Sequence, residues 1–393
     1  MQRREIAFFA CLGFALMFIS SAAMAQFSLT NLVSNQNGAR HKDPLLVNAW
    51  GLTYGPGGPF WISDEGTGWS TLYDDRGVKQ GLEVVIPTFD GNGTGSPTGI
   101  VYNGSQEFQV EGWASIFLFC TLDGTISGWA PQSNPTQAIV AVNNWSSGAI
   151  YTGLAITNYA SGNFLFAADN WNNKVDVYDG SFNLVTSFTD TTLPPGFAPF
   201  GIQDINGQVY VAFASTSGGS GGYIDIFTEA GVFVKHLTRS SKLNQPWGFA
   251  VAPHNFGPLS KALLISNNLD TNGVINGFDI NTGKFIGTLS YSKGKPIHID
   301  QIWGIEFGGG SHFNGRKNEL FFTAGPTTTR TGRSGLFDWI NRCTALRQCG
   351  EIVSAKAVCE DGLCFCCGKP LGRYRFGVLV IDLPGLRKLH SAG

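Results

Sequence analysis

Charge is scarce in this chain. Only 14% of its 393 residues are Asp, Glu, Lys or Arg, and 26 basic groups nearly balance 28 acidic ones. The balance hides an asymmetry. Residues 26–326 carry 14 Lys and Arg against 22 Asp and Glu, a net of −8; residues 327–393 carry 10 against 5, a net of +5. An acidic body argues against nucleic acid or an anionic membrane surface as partner, because both repel it. Past the first 25 residues no stretch is apolar enough to cross a bilayer, which takes about 20 residues. Histidine is equally sparse: His41, His236, His254, His298 and His312 stand in the body at irregular places. Cys120 is alone there and, in Phe117-Leu-Phe-Cys, reads as core. No catalytic constellation emerges. His298-Ile-Asp300 is the best polar pair, yet residues i and i+2 of a strand share a face without necessarily sharing a hydrogen bond. Gly218-Gly-Ser-Gly-Gly222 formally matches Gly-x-Ser-x-Gly around Ser220. A nucleophile elbow needs a helix after it, and here a β-type run begins at Tyr223, so the run reads as a hairpin loop.

The amino terminus has a different character. Arg3 and Arg4 precede an apolar run from Ile6 to Ile19, and Ala23-Met24-Ala25 offers a small-x-small cleavage site. This is the pattern of a secretory leader. It predicts cleavage after Ala25, removal of Cys11 with the leader, and a secreted or periplasmic product with no membrane span.

Glycine and phenylalanine are abundant, at 52 and 30 residues. Six of the glycines punctuate the chain in like contexts: Asn48-Ala-Trp-Gly51-Leu-Thr, Ser96-Pro-Thr-Gly99-Ile-Val, Ile150-Tyr-Thr-Gly153-Leu-Ala, Ala198-Pro-Phe-Gly201-Ile-Gln, Gln245-Pro-Trp-Gly248-Phe-Ala and Gln301-Ile-Trp-Gly304-Ile-Glu. The intervals, by subtraction, are 48, 54, 48, 47 and 56 residues. A period near 50 with β-type sequence inside each unit signals a β-propeller. In the third unit the strands read Gly153-Leu-Ala-Ile-Thr, Asn163-Phe-Leu-Phe-Ala-Ala-Asp, Lys174-Val-Asp-Val-Tyr-Asp and Asn183-Leu-Val-Thr-Ser-Phe, with the Gly strand innermost. The last unit is short. It shows Gly304-Ile-Glu-Phe, Glu319-Leu-Phe-Phe-Thr and a third strand near Gly335-Leu-Phe-Asp-Trp, with no fourth. The expected fold is therefore all-β: a six-bladed propeller of four-stranded blades over residues 26–339. The segment near residues 27–35 closes the last blade, which removes an open edge.

The unit resembles the NHL-repeat type, with its Pro-x-Gly inner strand and a loop such as Ala168-Asp-Asn-Trp-Asn-Asn173. Over residues 29–326 the strings Asn31-Leu-Val-Ser-Asn, Gly58-Pro-Phe-Trp-Ile-Ser, Asp123-Gly-Thr-Ile-Ser-Gly-Trp and Phe321-x-Thr-Ala-Gly-Pro resemble a family of exported bacterial propeller proteins. Many members of that family end in a PEP-CTERM sorting tail. The resemblance implies a fold and an address, and no catalytic residues. The tail of this chain departs from the pattern. Residues 340–393 are basic, lack Pro-Glu-Pro, and hold Cys343, Cys349, Cys359, Cys364, Cys366 and Cys367. One Cys-x-x-Cys with no second pair is a weak zinc signal, and an irregular, poorly ordered tail is expected.

Polar groups recur after the second strand of several units: Asp64, Asp123, Asp169, Asn170, Asn267 and Asn268. These loops should lie at one mouth of the channel. There Asp64, Asp123 and Asp169 could share a divalent cation such as calcium through oxygen ligands, or each could cap its own hairpin by side chain–backbone bonds. Trp50, Trp247 and Trp303, each before a repeat glycine, should stand at the same mouth, with Trp171 and Phe200 near. They would suit a sugar or a flat apolar ligand, or wedge between blades. Two functions remain open: an exported monomeric binding or surface protein that takes a glycan or cell-surface polymer, and a metal-assisted hydrolase or lactonase of the gluconolactonase type. Asn48 stands where the second would place a Glu.

Overall fold

The structure, a computed structural model, describes residues 26–159, 162–291 and 294–325, and the backbone of strands at 339–346, 359–360, 363–366 and 369–370. The expected leader, residues 1–25, lies outside the described residues.

Among the described residues, five four-stranded antiparallel blades follow one another along the chain. Their inner strands are Ala49–Tyr54 (blade 1), Pro97–Tyr102 (blade 2), Tyr151–Tyr159 (blade 3), Phe197–Ile205 (blade 4) and Pro246–Val251 (blade 5). In blades 1, 2 and 5 the second strand is buried along its whole length, as in Phe60–Asp64, Phe117–Thr121 and Ala262–Asn267. That is why these segments read as nearly continuous apolar runs. The outermost strand of blade 3, Leu184–Phe188, faces solvent and has lost the pattern. Buried clusters fill the seams between neighbouring sheets. Trp61 and Leu72 of blade 1 meet Ile100 and Phe117 of blade 2, for example.

The ring is completed by a sheet of another kind. Its order is Ile302–Phe307, Glu319–Ala324, Trp339–Leu346, Gln26–Ser34 and His41–Lys42. This corrects the expectation of a six-bladed propeller: there are five blades, and the ring is closed by a sheet of different make. Five sheets are four-stranded blades, and the closing sheet has five strands, four antiparallel and one added in parallel at His41–Lys42. A second correction concerns the boundary at residue 339. The third strand of the closing sheet is Trp339–Leu346, paired with Glu319–Ala324 on one side and Gln26–Ser34 on the other. Residues 340–346 therefore belong to the propeller. The basic, cysteine-bearing sequence hid this strand because it lacks the apolar alternation of the other units. Farther on, Cys359–Glu360, Leu363–Cys366 and Lys369–Pro370 form a small antiparallel sheet.

The repeat glycines sit where inner strands approach most closely. A Cβ on Gly51 would stand 2.6 Å from the Thr98 carbonyl oxygen, and one on Gly248 2.6 Å from that of Trp303. A Cβ on Gly304 would stand 2.8 Å from the Trp50 carbonyl oxygen, which joins the closing sheet to blade 1. Glycine recurs there because no side chain fits between neighbouring backbones around the axis.

Candidate functional site

The residues just before the repeat glycines form a collar around the axis: Trp50, Thr98, Thr152, Phe200, Trp247 and Trp303. The large rings come from blades 4, 5, 1 and the closing sheet, and the small threonines from blades 2 and 3. The rings fill the axis. Trp50 stacks on Trp303 with centroids 3.4 Å apart, and Trp247 meets both edge-on at 6.1 and 5.9 Å. Phe200 packs against Trp50 and Trp303 at 6.3 and 5.8 Å. Trp247 Nε1 donates across the ring to the Thr152 carbonyl at 2.8 Å. The indole N–H groups of Trp50 and Trp303 are buried without a hydrogen-bond partner. The three predicted tryptophans do come together. They pack on one another as a plug instead of standing open as a stacking platform.

The acidic residues at the same end are already engaged. Asp123 Oδ2 accepts the Ser96 amide at 3.0 Å, and Asp169 Oδ1 accepts the Ile150 amide at 3.1 Å. Asn267 Oδ1 accepts the Asn244 amide at 2.7 Å. Each thus ties a second-strand loop to the chain entering its own inner strand. Asp169 also accepts from Asn172, Asp64 accepts the Thr71 hydroxyl at 2.7 Å, and Asn170 donates to the Pro199 carbonyl at 2.9 Å. These bonds are what side-chain capping supplies. Asp64, Asp123 and Asp169 do not converge: among the described residues the acidic and imidazole groups whose ligand atoms lie within 4.8 Å of one another are Asp190, Asp225 and His236.

Below the plug the axis opens into a cavity of about 390 Å³. Trp247 and the glycines Gly51, Gly99, Gly153, Gly248 and Gly304 line its closed end. Leu52, Ile100, Leu154, Ile202 and Phe249 form its apolar wall, and Tyr54, Gln203, Asp204, Asn206 and Glu306 stand toward the far ends of the inner strands. The usable space is therefore reached from the mouth opposite the one the loop pattern indicated. Glu306 is the informative group. Burial raises its pKa to about 8, and the opposing hydrogen bond with Thr53 does not offset this. The carboxyl is thus largely neutral at pH 7 and both donates and accepts hydrogen bonds. Burial also raises the pKa of Asp204, whose Oδ1 is buried without a partner. Tyr54 donates to the Phe307 carbonyl at 3.0 Å, and burial, then the nearby Glu306, keeps its phenol protonated.

The sequence carries a signal for Glu306. At the second position after each repeat glycine the chain places Thr53, Val101, Ala155, Gln203, Ala250 and Glu306. Glu306 is the one charged type in that register.

Closed sheets, a plugged axis and an axial cavity define a β-propeller whose inner strands carry the site. The chain is 32% identical over 324 residues to "Uncharacterized protein R648" of Acanthamoeba polyphaga mimivirus, covering 77% of this chain and 78% of that protein. It is 30% identical over 305 residues to "Uncharacterized protein L690" of the same virus, covering 72% and 79%. The chain belongs to the family of these proteins. No protein-family model matches it. Among solved structures it is similar to a "luciferin-regenerating enzyme", with TM-score 0.52, 11% identity, and 81% and 96% of the two chains covered. It is also similar to XC5397 of Xanthomonas campestris, described as a gluconolactonase, with TM-score 0.50, 12% identity and 83% and 96% covered. At such identities these likenesses show the fold alone. They support the propeller part of the resemblance read from the sequence. Its exported bacterial, PEP-CTERM-associated part rests on sequence motifs only.

Proposed function

We propose that this chain is an exported, monomeric binding protein that takes a small neutral polar ligand, of the sugar or polyol class, into its axial cavity. The observation that carries the reading is the cavity of about 390 Å³, blind at the tryptophan plug, with neutral-acid Glu306 at its other end. A volume of several hundred Å³ is typical of small-molecule sites. An apolar wall with a few convergent polar groups suits a ring that has C–H faces and hydroxyl edges. A neutral carboxyl can donate to one hydroxyl and accept from another without leaving a buried charge unpaired. Export is supported by the leader-like residues 1–25, and N-terminal sequencing of secreted protein tests it. Binding is tested by calorimetry against a monosaccharide and polyol panel. At least one compound should bind the wild type and bind Glu306→Ala at least about tenfold more weakly. A panel with no binder, or a binder indifferent to Glu306→Ala, would sink the reading.

One observation favours a second reading. A carboxyl titrating near neutrality inside a cavity is suited to general acid catalysis, and Asp204 lines the same space. Hydrolysis of a sugar lactone would add water to its carbonyl carbon and place the Glu306 proton on the ring oxygen as the acyl–oxygen bond breaks, and the chain is similar in fold to a protein described as a gluconolactonase. Lactone hydrolysis by wild type but not by Glu306→Gln would favour this reading over binding alone.

A further inference from the structure

The third strands of blades 3, 4 and 5 each carry a polar residue that meets a side chain of the fourth strand. In blade 3 it is Asp176, in blade 4 Asp225 and in blade 5 Asn276, on strands Lys174–Tyr178, Gly222–Phe227 and Val274–Asp279. Asn276 accepts the Thr288 hydroxyl at 2.7 Å. Asp176 accepts the Ser187 hydroxyl at 2.5 Å and the Tyr151 hydroxyl at 2.9 Å, and the Lys174 ammonium lies against it at 2.7 Å. Blade 3 therefore neutralises its buried carboxylate with a cation of its own.

Blade 4 does not. Tyr223 stands where blade 3 has Lys174, two residues before the aspartate. Asp190, from the connection between blades 3 and 4, adds a second carboxylate instead. Asp225 is fully buried and Asp190 is 7% exposed, and the Oδ2 atoms of both are buried without a hydrogen-bond partner. His236, on the fourth strand Phe233–Arg239, places Nδ1 2.8 Å from Asp225 Oδ1 and 3.3 Å from Asp190 Oδ2. Arg239 lies over the Tyr223 ring and reaches only the far nitrogen, Nε2, at 2.6 Å. The nearest positive side chain therefore does not meet the carboxylates.

We propose that Asp190, Asp225 and His236 bind a divalent transition-metal ion, of the Mn²⁺ or Zn²⁺ class. Adjacent ligands on an ion with bonds of about 2.1 Å stand roughly 3 to 3.5 Å apart, which the spacings of 2.8 and 3.3 Å already approach. Two carboxylates and a neutral imidazole match a double positive charge. Imidazole in the set favours a transition ion over calcium. The ion would take the place that Lys174 fills in blade 3, and would staple the blade 3–4 connection to the outer strands of blade 4. Coordination through Nδ1 puts the imidazole proton on Nε2, where Thr192 Oγ1 at 3.3 Å can accept it. Arg239 cannot accept, so it opposes that tautomer.

The test is titration of the full chain with Mn²⁺, followed by the loss of the free-ion EPR signal. Manganese avoids thiolates, so the tail cysteines do not compete for it. Wild type should retain one ion per chain. His236→Gln, at a partly exposed position that tolerates change, should weaken uptake at least about tenfold, and Asp225→Asn more. Arg239→Gln should bind more tightly than wild type. No stoichiometric uptake by wild type, uptake unchanged in His236→Gln, or weaker uptake in Arg239→Gln would overturn the proposal.

Discussion

Trp50 and Trp303 stack with ring centroids 3.4 Å apart and planes 17° from parallel, although 253 residues separate them in sequence. The stack joins blade 1 to the closing sheet at the point where the two ends of the ring meet. The Thr323 hydroxyl reinforces the junction by donating to the Trp50 carbonyl. The plug therefore closes both the ring and the axis.

Replacing Trp303 by Ala removes one face of the stack and one edge contact to Trp247. Truncation of a buried aromatic costs about 3–5 kcal/mol. The variant should unfold at lower denaturant. Acrylamide should quench the remaining tryptophans more strongly, because the axis is then open from both ends. Unchanged quenching at native conditions would show that the plug does not seal it.

Gly248→Ala should destabilise by about 1–3 kcal/mol or more, since the new methyl meets a backbone carbonyl that cannot give way cheaply. Gly81→Ala is the control: nothing lies within 4 Å of its added Cβ. Its stability should stay within about 0.5 kcal/mol of wild type. Chemical denaturation of the pair separates close approach at the axis from the general effect of losing a glycine.

The inner strands were legible because a steric demand, glycine between neighbouring backbones, repeats in sequence. The tryptophans were legible for the same reason, but their packing was not. Whether three rings at one mouth form a platform or a plug depends on which neighbours are small, and Thr98 and Thr152 decide that only once the ring is closed. Asp64, Asp123 and Asp169 left two readings open because loop capping and metal ligation ask for the same residue types. The Asp190, Asp225 and His236 cluster was invisible, since it joins a connecting segment to two strands and no local spacing encodes it. Trp339–Leu346 escaped because a strand held between two others on both edges need not advertise itself by alternation.

That strand yields a prediction opposite to the one its sequence suggests. A chain ending at Trp339 loses residues 340–346, leaving Gln26–Ser34 without its antiparallel partner and Glu319–Ala324 with an open edge. Its melting temperature should fall by about 3 °C or more relative to a chain ending at Leu346, as a loss of roughly 2 kcal/mol produces at this size. Calorimetry of the two chains isolates the strand's contribution, and equal melting temperatures would show that it contributes none.

Glu306 should make stability depend on pH in a direction unusual for a carboxyl. Its folded pKa of about 8 lies above the ordinary value of 4.5, so between those values the folded state holds a proton that the unfolded state has lost. Stability is then fully present below about pH 4.5 and declines as pH rises through 8, by at most about 1.4 kcal/mol per pH unit. The partial reach of the channel to this carboxyl reduces that slope. Glu306→Gln keeps a neutral, hydrogen-bonding side chain at every pH and removes the proton. The variant should therefore match wild type near pH 5 and exceed it at pH 8 to 9. Denaturation midpoints measured across that range check this. A wild-type advantage that grows with pH would mean that the carboxylate, not the acid, is the form the cavity stabilises.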